Sequence, residues 1–293
     1  MQIGLIGLGA MGGGMIRRLV GAGHDVVGVD LQEAARARAR EHGARTAADP
    51  AELLELITGP RVVWVMLPAG EITRATVRRL GEVLQPGDLV VDGGNSDFRD
   101  APGHAAALAE HGVRFADVGV SGGQWGWQNG YGLMVGCEPA DHAELAWLWA
   151  ALGTDGGASR VGGVGAGHLV KAFHNGVQYG VLQAYAEGFA LLSAHPEVDR
   201  VAAMQAWQGG SSIRSWLLEQ IVTALQDNPD LEDVSTRISD SGMGRWTAEE
   251  AIRLAVPTPV MTAALHARFA SRSDQVGNKL LTAARAQIGG QKS

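Results

Sequence analysis

A glycine-rich loop near the start of the chain limits the possible folds more than any other segment. The loop reads Gly7-Leu8-Gly9-Ala10-Met11-Gly12, follows a short apolar run and opens a helical pattern. Gly7 permits a tight turn, Gly9 lets the backbone approach a pyrophosphate, and Gly12 lets the helix pack closely on the strand. The helix N-terminus would face the negative charge. The spacing therefore predicts a strand–loop–helix unit that binds a dinucleotide.

An acidic residue ends the second predicted strand. Asp30 lies 18 residues after Gly12, close to the spacing of about 20 at which a carboxylate hydrogen-bonds the ribose 2′-hydroxyl. That carboxylate would repel a 2′-phosphate, and Leu31 and Gln32 provide no arginine to hold one. We therefore predict NAD rather than NADP as the cofactor. A chance match or an FAD site is the alternative.

Short β-branched runs alternate with helical patterns through the first half of the chain, and only helical patterns follow. The alternation is typical of a parallel sheet with helices on both faces. The predicted strands cover 2–7, 25–30, 61–67, 89–92 and 114–118. The predicted helices cover 11–20, 33–41, 51–56, 72–84, 105–111, 169–194, 200–208, 215–226, 248–254, 258–272 and 275–287.

These patterns predict an α/β fold, a Rossmann-type doubly wound parallel sheet followed by an all-α C-terminal domain. The glycine-rich join at 162–165 marks the predicted boundary. The dinucleotide-binding domain would cover 1–163, and a helical substrate and dimerisation domain with a C-terminal tail would cover 164–293.

Composition argues against several classes of protein. The chain has 24 Lys and Arg against 31 Asp and Glu, a net charge of −7, which argues against a general nucleic-acid binder. No apolar run approaches the ~20 residues that cross a bilayer, and the first residues lack a signal-peptide pattern. Cys137 is the one cysteine, and the histidines have no metal-binding spacing. We therefore predict a cytoplasmic protein without a nucleic-acid, membrane or metal partner.

A polar stripe follows the long helical pattern, at Lys171, His174, Asn175 and Gln178. Their spacing of three and four residues places them on one helix face among apolar neighbours. Only three of the 24 basic residues are lysines, so a lysine in an apolar helix is unusual here. A desolvated lysine can exchange a proton near neutral pH, whereas arginine cannot. We therefore predict that Lys171 is a base; a solvated polar face is the alternative.

Ten short motifs spread over nearly the whole chain resemble those of one known family. They are GLGAMG from residue 7, VMLP from 65, VDGGNS from 91, VSGG from 120, GYGLMVG from 130, GAGHLVK from 165, HNG from 174, YAEG from 185, IRSW from 213 and GRWT from 244. Together they resemble the 6-phosphogluconate dehydrogenases of the β-hydroxyacid dehydrogenase superfamily, and most of all their short, NAD-preferring branch.

The resemblance implies roles for individual residues. Lys171 would take the proton of the C3 hydroxyl while hydride leaves C3 for nicotinamide, and would then polarise the ketone during loss of CO₂. Asn175 and Gln178 would be the other two catalytic residues. Cofactor contacts are expected at Gly7, Leu8, Gly9, Ala10, Met11, Gly12, Asp30, Leu67, Pro68 and Asn95. Substrate contacts are expected at Asn95, Ser121, Gly122, Gly123, His174, Tyr179, Arg214 and Arg285, the last reaching into a neighbouring subunit's site.

The chain departs from the family pattern where the substrate would bind. Gln178 replaces the glutamate that protonates C1 after CO₂ is lost, and an amide cannot deliver that proton. Met243 replaces another glutamate, Gln208 an arginine and Gln291 a histidine of the tail. Decarboxylation is therefore doubtful.

Three hypotheses follow. The chain is an NAD-dependent dehydrogenase of a sugar-acid or sugar-like substrate; or it keeps its NAD and catalyses a redox-neutral dehydration or epimerisation of a polyol; or it is a non-catalytic NAD-binding sensor. The retained stripe argues against the third. Both enzymatic readings imply a homodimer or homotetramer, because Arg285 would complete a partner's site.

Overall fold

The computed structural model describes residues 1–273 and 276–289, apart from the side chains at 277, 282 and 285–289. It contains two compact units, Met1–Phe173 and His174–Ser293. The first unit extends past residue 163 because the first turns of the long helix pack on the sheet, where Lys171 lies against Gly119. The assignment of 164–293 to a separate domain stays a prediction. No helix within the described residues is long and apolar enough to cross a membrane.

One mixed sheet organises the first unit, with eight strands among the described residues in the order β3-β2-β1-β4-β5-β6-β7-β8. All neighbouring strands are parallel except β6 and β7, which are antiparallel. The strands are β1 (Gln2–Ile6), β2 (Asp25–Val29), β3 (Arg45–Ala47), β4 (Val62–Val65), β5 (Leu89–Asp92), β6 (Arg114–Ser121), β7 (Tyr131–Gly136) and β8 (Gly153–Gly162).

Helices cover both faces of this sheet. Val62 and Trp64 belong to one buried cluster and Val63 and Val65 to another, as expected when side chains alternate across a strand that is buried on both faces. The helices of this part are α1 (Ala10–Gly21), α2 (Glu33–Glu41), α3 (Pro50–Leu56), α4 (Glu71–Val83), α5 (Ala101–Ala109), α6 (Gly126–Asn129), α7 (Pro139–Glu144) and α8 (Ala146–Leu152).

The carboxyl ends of the central strands lie in register. Ile6 pairs with Val29 of β2 and with Val65 of β4, and Val65 pairs with Asp92 of β5. The loops that follow these four strands therefore leave the sheet at one edge. The strand order reverses between β1 and β4, which is where open α/β sheets bind ligands.

The predicted fold class is confirmed, but the sequence missed three strands and predicted a purely parallel sheet. The antiparallel β7 contains Gly132 and Gly136, so it resembles a loop. A side chain at Gly136 would overlap Asp117 and would lie 2.7 Å from the backbone nitrogen of Gly167. Glycine is there because another backbone approaches closely, not because the chain turns. The short β3 and the glycine-rich β8 lacked an apolar pattern for a different reason. They are the two edge strands of the sheet, and most of their residues are not buried.

The second unit is helical throughout its described elements. Its core contains Tyr185, Met204, Leu218, Val222 and Leu225. Asp199 caps α10 and Ser215 caps α11 through their side chains. The helices from the long helix onward are α9 (Ala166–Ser193), α10 (Arg200–Gly210), α11 (Trp216–Asp227), α12 (Met243–Arg253), α13 (Pro259–Ala270) and α14 (Val276–Gly289).

Candidate active site

The glycine loop joins β1 to α1 at the edge where the strand order reverses. Gly7 has a φ of +97°, and a side chain there would collide with the carbonyl oxygen of Met66. A side chain at Gly12 would collide with the carbonyl oxygen of Gly7. At Gly9, an added Cβ would meet no protein atom within 4 Å. Two glycines thus close the loop and the third leaves its backbone open, as a bound pyrophosphate requires.

The N-terminus of α1 offers backbone amides to this open space. Gly9 is the N-cap residue, and no side chain caps the helix. Leu8, Gly9 and Ala10 also line a cavity of about 390 Å³. The carbonyl oxygen of Met11 accepts a hydrogen bond of 3.4 Å from the Tyr131 hydroxyl. A helix end without a side-chain cap and without acidic residues favours an anion.

Asp30 is held beside the loop by backbone donors. Its two carboxylate oxygens accept hydrogen bonds from the amides of Leu8, at 2.9 Å, and Gln32, at 2.8 Å. The Arg36 guanidinium donates to the backbone oxygen of Asp30 and pairs with Glu33. Both nitrogens that bond the carboxylate are backbone atoms, and each carboxylate oxygen has a further lone pair that can accept a ribose hydroxyl.

The loops after β4 and β5 lie against the glycine loop. A Cβ at Gly7 would be 3.0 Å from the Leu67 side chain, and a Cβ at Gly94 would be 2.8 Å from the Leu67 carbonyl oxygen. The Pro68 carbonyl accepts from the Thr73 hydroxyl at 2.8 Å. Asn95 follows Gly94 directly. The structure therefore brings Leu67, Pro68 and Asn95 to the predicted cofactor edge.

Lys171 lies in the second turn of α9 and is 7% exposed. Its Cβ packs on β6, 2.5 Å from where a Cβ would stand at Gly119. Burial lowers the pKa of Lys171 from 10.5 to about 8, because a low-dielectric environment disfavours the ammonium form. Half of these amines are neutral at that pH, so Lys171 can accept a proton under ordinary conditions.

The segment Ser121-Gly122-Gly123 follows Gly119 along β6. Ser121 and Gly119 are two residues apart on one strand, so they share the face on which Lys171 packs. Ser121 thus lies on the same sheet face as the lysine. Gly122 and Gly123 have φ angles of +127° and +53°, which make the chain turn sharply there.

Two tryptophans follow this turn. Trp125 is 41% exposed, whereas the Arg17 guanidinium lies 3.2 Å from the ring centre of Trp127.

The remaining residues of the stripe belong to the second unit. His174, Asn175 and Gln178 are half-buried on α9, and His174 Nδ1 lies 3.1 Å from Asn175 Oδ1. The imidazole and the carboxamide are therefore oriented by each other before any ligand binds.

Tyr179 has a partner that the sequence analysis missed. The Arg268 guanidinium lies 3.7 Å from the centre of its ring, while Arg214 is exposed before α11. Arg268 of α13 is thus a cation in contact with Tyr179. Arg268 belongs to no short motif, and only the packing of α13 on α9 reveals it. The side chain of Arg285 lies outside the described residues, and so does Gln291.

Two departures from the family pattern have structural roles. Met243 is fully buried at the start of α12. The Gln208 carboxamide accepts the amide hydrogen of Ser215 at 3.2 Å and thereby supports the turn before α11. Gln178, by contrast, is half-buried on α9 next to His174 and Asn175 on the stripe.

Other titratable groups have structural explanations. Burial raises the pKa of the Cys137 thiol to about 11, so it stays protonated. His168 is 1% exposed and bonds the backbone carbonyl of Asp92, so it neither caps α9 with its side chain nor faces solvent. Within the described residues, no three His, Cys, Asp or Glu side chains are grouped as a metal site would need.

Comparisons with known proteins agree with this arrangement. Residues 2–163 match the NAD binding domain of 6-phosphogluconate dehydrogenase, and residues 167–288 match the 6-phosphogluconate dehydrogenase C-terminal domain. The chain is 39% identical over 277 residues to a Haloferax volcanii protein named 6-phosphogluconate dehydrogenase, NAD(+)-dependent, decarboxylating; the match covers 94% of this chain and 92% of the relative.

Solved structures show the same fold. A Plasmodium falciparum 6-phosphogluconate dehydrogenase, studied with NADP⁺ and with 6-phosphogluconate, is 25% identical with a TM-score of 0.84. The match covers 99% of this chain but 65% of that longer one. A 3-hydroxyisobutyrate dehydrogenase from Salmonella typhimurium is also 25% identical, with a TM-score of 0.74 and coverage of 91% and 92%. The chain therefore belongs to the 6-phosphogluconate dehydrogenase family of NAD(P)-dependent oxidoreductases.

Proposed function

We propose that the protein is an NAD-dependent dehydrogenase that oxidises a secondary alcohol of a sugar acid or a sugar-like substrate. The observation that carries this proposal is the buried amine of Lys171, in the same compact unit as the glycine loop. A buried lysine with a pKa of about 8 is matched to proton transfer near neutral pH.

The glycine loop, Asp30, Leu67 and Pro68 are the residues that would hold NAD. The bound nicotinamide would supply the hydride acceptor. Lys171 Nζ takes the hydroxyl proton as the carbon–oxygen double bond forms. Asn95, at the cofactor edge, and Ser121, on the sheet face where Lys171 packs, would orient the substrate by hydrogen bonds. Together these residues provide a base, a donor set and a cofactor cradle for oxidation of an alcohol.

Loss of CO₂ is the part of the family reaction that this chain supports least. The ammonium form of Lys171 can polarise a ketone. The enediol that remains after CO₂ leaves can recombine with CO₂ until its carbon is protonated, and the Gln178 amide is not an acid that could deliver that proton. We propose that oxidation is retained and that decarboxylation is slow or absent.

Side chains on α9 and α13 are proposed as further substrate contacts. His174, Asn175 and Gln178 present hydrogen-bonding groups suited to hydroxyls. Tyr179 and Arg268 combine a phenol with a guanidinium, a pair suited to an anionic end such as a phosphate or a carboxylate. Arg214 and Arg285 are proposed as further contacts.

The direct test incubates the protein with NAD and 6-phosphogluconate and follows NADH and CO₂ together. We expect NADH formation from a sugar acid with little CO₂. Stoichiometric NADH and CO₂ would contradict the proposal of impaired decarboxylation. Copurifying NAD with turnover but no net NADH would instead establish the redox-neutral alternative, which the loss of the acid at Gln178 favours. Binding of NAD without turnover of any substrate would support the third hypothesis, a non-catalytic NAD-binding sensor.

The choice of NAD over NADP is predicted to depend on Asp30. Replacing it by serine removes a charged hydrogen-bond acceptor worth about 1.5–3 kcal/mol, so we expect the KM for NAD to rise about 10- to 100-fold. The KM for NADP should fall, because the repulsion of its 2′-phosphate is lost. Steady-state kinetics with both cofactors measures the change.

Asp25→Ser is the matched control for Asp30. Asp25 begins the same strand at its opposite end, where it pairs with Arg45 at 2.7 Å. Its replacement should leave both KM values unchanged. Equal effects of the two substitutions would contradict a direct role for Asp30.

The pH profile is predicted from Lys171. The neutral amine is the active form, and its pKa is lowered to about 8. Below that pH, kcat/KM should therefore fall about tenfold per unit, and above it the profile should be flat. A limb near pH 6 would assign the base to a histidine instead.

We also propose that the protein is a cytoplasmic homodimer or homotetramer in which the tail, with Arg285, completes a neighbouring site. Light scattering measures the assembly. A monomer with full activity would contradict this proposal.

A further inference from the structure

A buried polar cluster lies beneath the candidate site and has no role in the proposed chemistry. Asp92 of β5 and Asp117 of β6 lie opposite each other in the register of the two strands, and both are fully buried. His168, on the first turn of α9, is 1% exposed. Buried carboxylates and imidazoles cost free energy unless they make compensating bonds, so the bonds of this cluster indicate what it does.

Asp117 fastens the start of α9. One carboxylate oxygen accepts the amide hydrogen of Gly165 at 2.5 Å, and the other accepts that of His168 at 2.8 Å. Two of the amides that a helix leaves unpaired at its N-terminus are thereby bonded. Lys171 follows His168 by three residues, so the capped turn lies directly beneath it.

His168 connects the same turn to the neighbouring strand. Its Nε2 lies 3.1 Å from the carbonyl oxygen of Asp92, and since a carbonyl only accepts, Nε2 carries the hydrogen. The Asp92 carboxylate in turn accepts the amide hydrogen of Gly94 at 2.9 Å. Asn95 is the next residue. The bonds therefore run from the Lys171 turn to the loop that carries Asn95.

Glycines let the helix seat closely enough for these bonds. A Cβ at Gly119 would lie 2.7 Å from the Gly167 carbonyl oxygen, and one at Gly167 would lie 2.9 Å from the Asp117 carboxylate. The first turn of α9 is thus pressed against β6 and bonded at the point of contact. Burial also raises the pKa of the Asp117 carboxyl, with His168 opposing the change.

We propose that Asp117 and His168 are positioning residues that hold Lys171 and the Asn95 loop in a fixed relation. Neither touches a reacting atom in this arrangement. The inference deepens the proposed function and rests on it, because it assigns a purpose to the fixed placement of the lysine. An amine that shifts by one ångström loses alignment with the hydroxyl it must deprotonate.

The first test replaces Asp117 by asparagine. The volume is kept, but one oxygen becomes an NH₂ group that cannot accept an amide hydrogen, so one bond to α9 is lost. We expect kcat to fall about tenfold or more, as for other displaced catalytic groups, while the KM for NAD stays unchanged. His168→Leu should act similarly, and His168→Gln, which retains an N–H for the Asp92 carbonyl, should recover part of the loss.

Asp88→Asn is the matched control. Asp88 is 2% exposed and accepts the amide hydrogens of Arg61, at 2.7 Å, and Gln85, at 2.9 Å, at the opposite end of β5. Its replacement removes the same kind of bond far along the strand from α9, together with the ion pair to the Arg61 guanidinium at 3.4 Å. Thermal unfolding should show at least as much destabilisation for Asp88→Asn as for Asp117→Asn, but kcat should fall only for Asp117→Asn.

A second readout does not need a substrate. The chain has three lysines, so NMR of ¹³Cε-lysine can follow Lys171 after assignment with Lys279→Arg and Lys292→Arg. In the parent protein its pKa should be about 8; in Asp117→Asn it should rise toward the ordinary 10.5, because a loosened turn admits water. Loss of the Asp117 charge alone would shift the pKa downward, so the direction separates the two causes.

The outcomes distinguish this inference from the proposed function. A Lys171 pKa near 10.5 in the parent protein would overturn the lysine base itself. A parent pKa near 8 that is unchanged or lower in Asp117→Asn, with kcat retained, would overturn the positioning role and leave the proposed function standing. Equal loss of kcat in Asp88→Asn would also overturn it, since that loss would report only stability.

Discussion

Lys171→Met is expected to reduce kcat for alcohol oxidation by at least about 10³-fold, within the range that general bases contribute. Methionine fills the same buried volume with an apolar chain, so the packing of α9 on β6 should survive. The amine is lost, and no other lysine lies in the first unit. NAD should still bind, because the glycine loop and Asp30 are untouched. Stopped-flow measurement of NADH formation in a single turnover isolates the step.

Lys279→Met is the control for this substitution. Lys279 is exposed on α14, so its replacement should leave both kcat and NAD affinity unchanged. If Lys171→Met retained more than about a tenth of the parent rate, the base would have to be another group. A loss of NAD binding in Lys171→Met would show that the substitution disturbs the fold, and the NMR titration described above would then decide.

The sequence predicted the strand, glycine loop and helix at the start of the chain because that unit depends on local rules. Gly7 is required by its positive φ and Gly12 by its contact with the Gly7 carbonyl, both within a single strand–loop–helix unit, and their spacing in the chain is fixed by that geometry. Asp30 directly follows the next strand, β2, so its distance from the loop is also fixed by sequence spacing. A motif of this kind carries its own structural context.

The groups that act through tertiary contacts were not predictable in the same way. Asp117 gave no signal in the sequence, because its partners Gly165 and His168 lie some fifty residues away. Arg268 stacks on Tyr179 from a helix about ninety residues further along. Glycines such as Gly136 resembled loop residues, although they mark close backbone packing. Side chains and glycines whose purpose is a distant contact can be interpreted only once the fold is known.

Gln178→Glu is expected to increase net CO₂ release per NADH by up to about 10²-fold with 6-phosphogluconate as substrate. A carboxylic acid can donate the proton that an amide cannot, and protonation of the enediol prevents its recombination with CO₂. Gln178 is half-buried on α9 and keeps its place on the helix, so the change of one atom alters chemistry rather than shape. NADH formation in the first turnover should change little, since Lys171 is retained. Spectrophotometry of NADH with parallel measurement of dissolved CO₂ gives the ratio.

Gln208→Glu provides the comparison for this gain. Its carboxylate can still accept the amide hydrogen of Ser215 that the Gln208 carboxamide accepts now, so it adds an equal charge at a structural turn. We expect no change in the ratio of CO₂ to NADH. If Gln178→Glu also left the ratio unchanged, the missing acid would not explain impaired decarboxylation. Formation of NADH from 6-phosphogluconate without any CO₂ in both proteins would then favour a physiological substrate that has no carboxylate β to the oxidised carbon. A rise confined to Gln178→Glu would instead show that one atom separates this chain from a decarboxylating dehydrogenase.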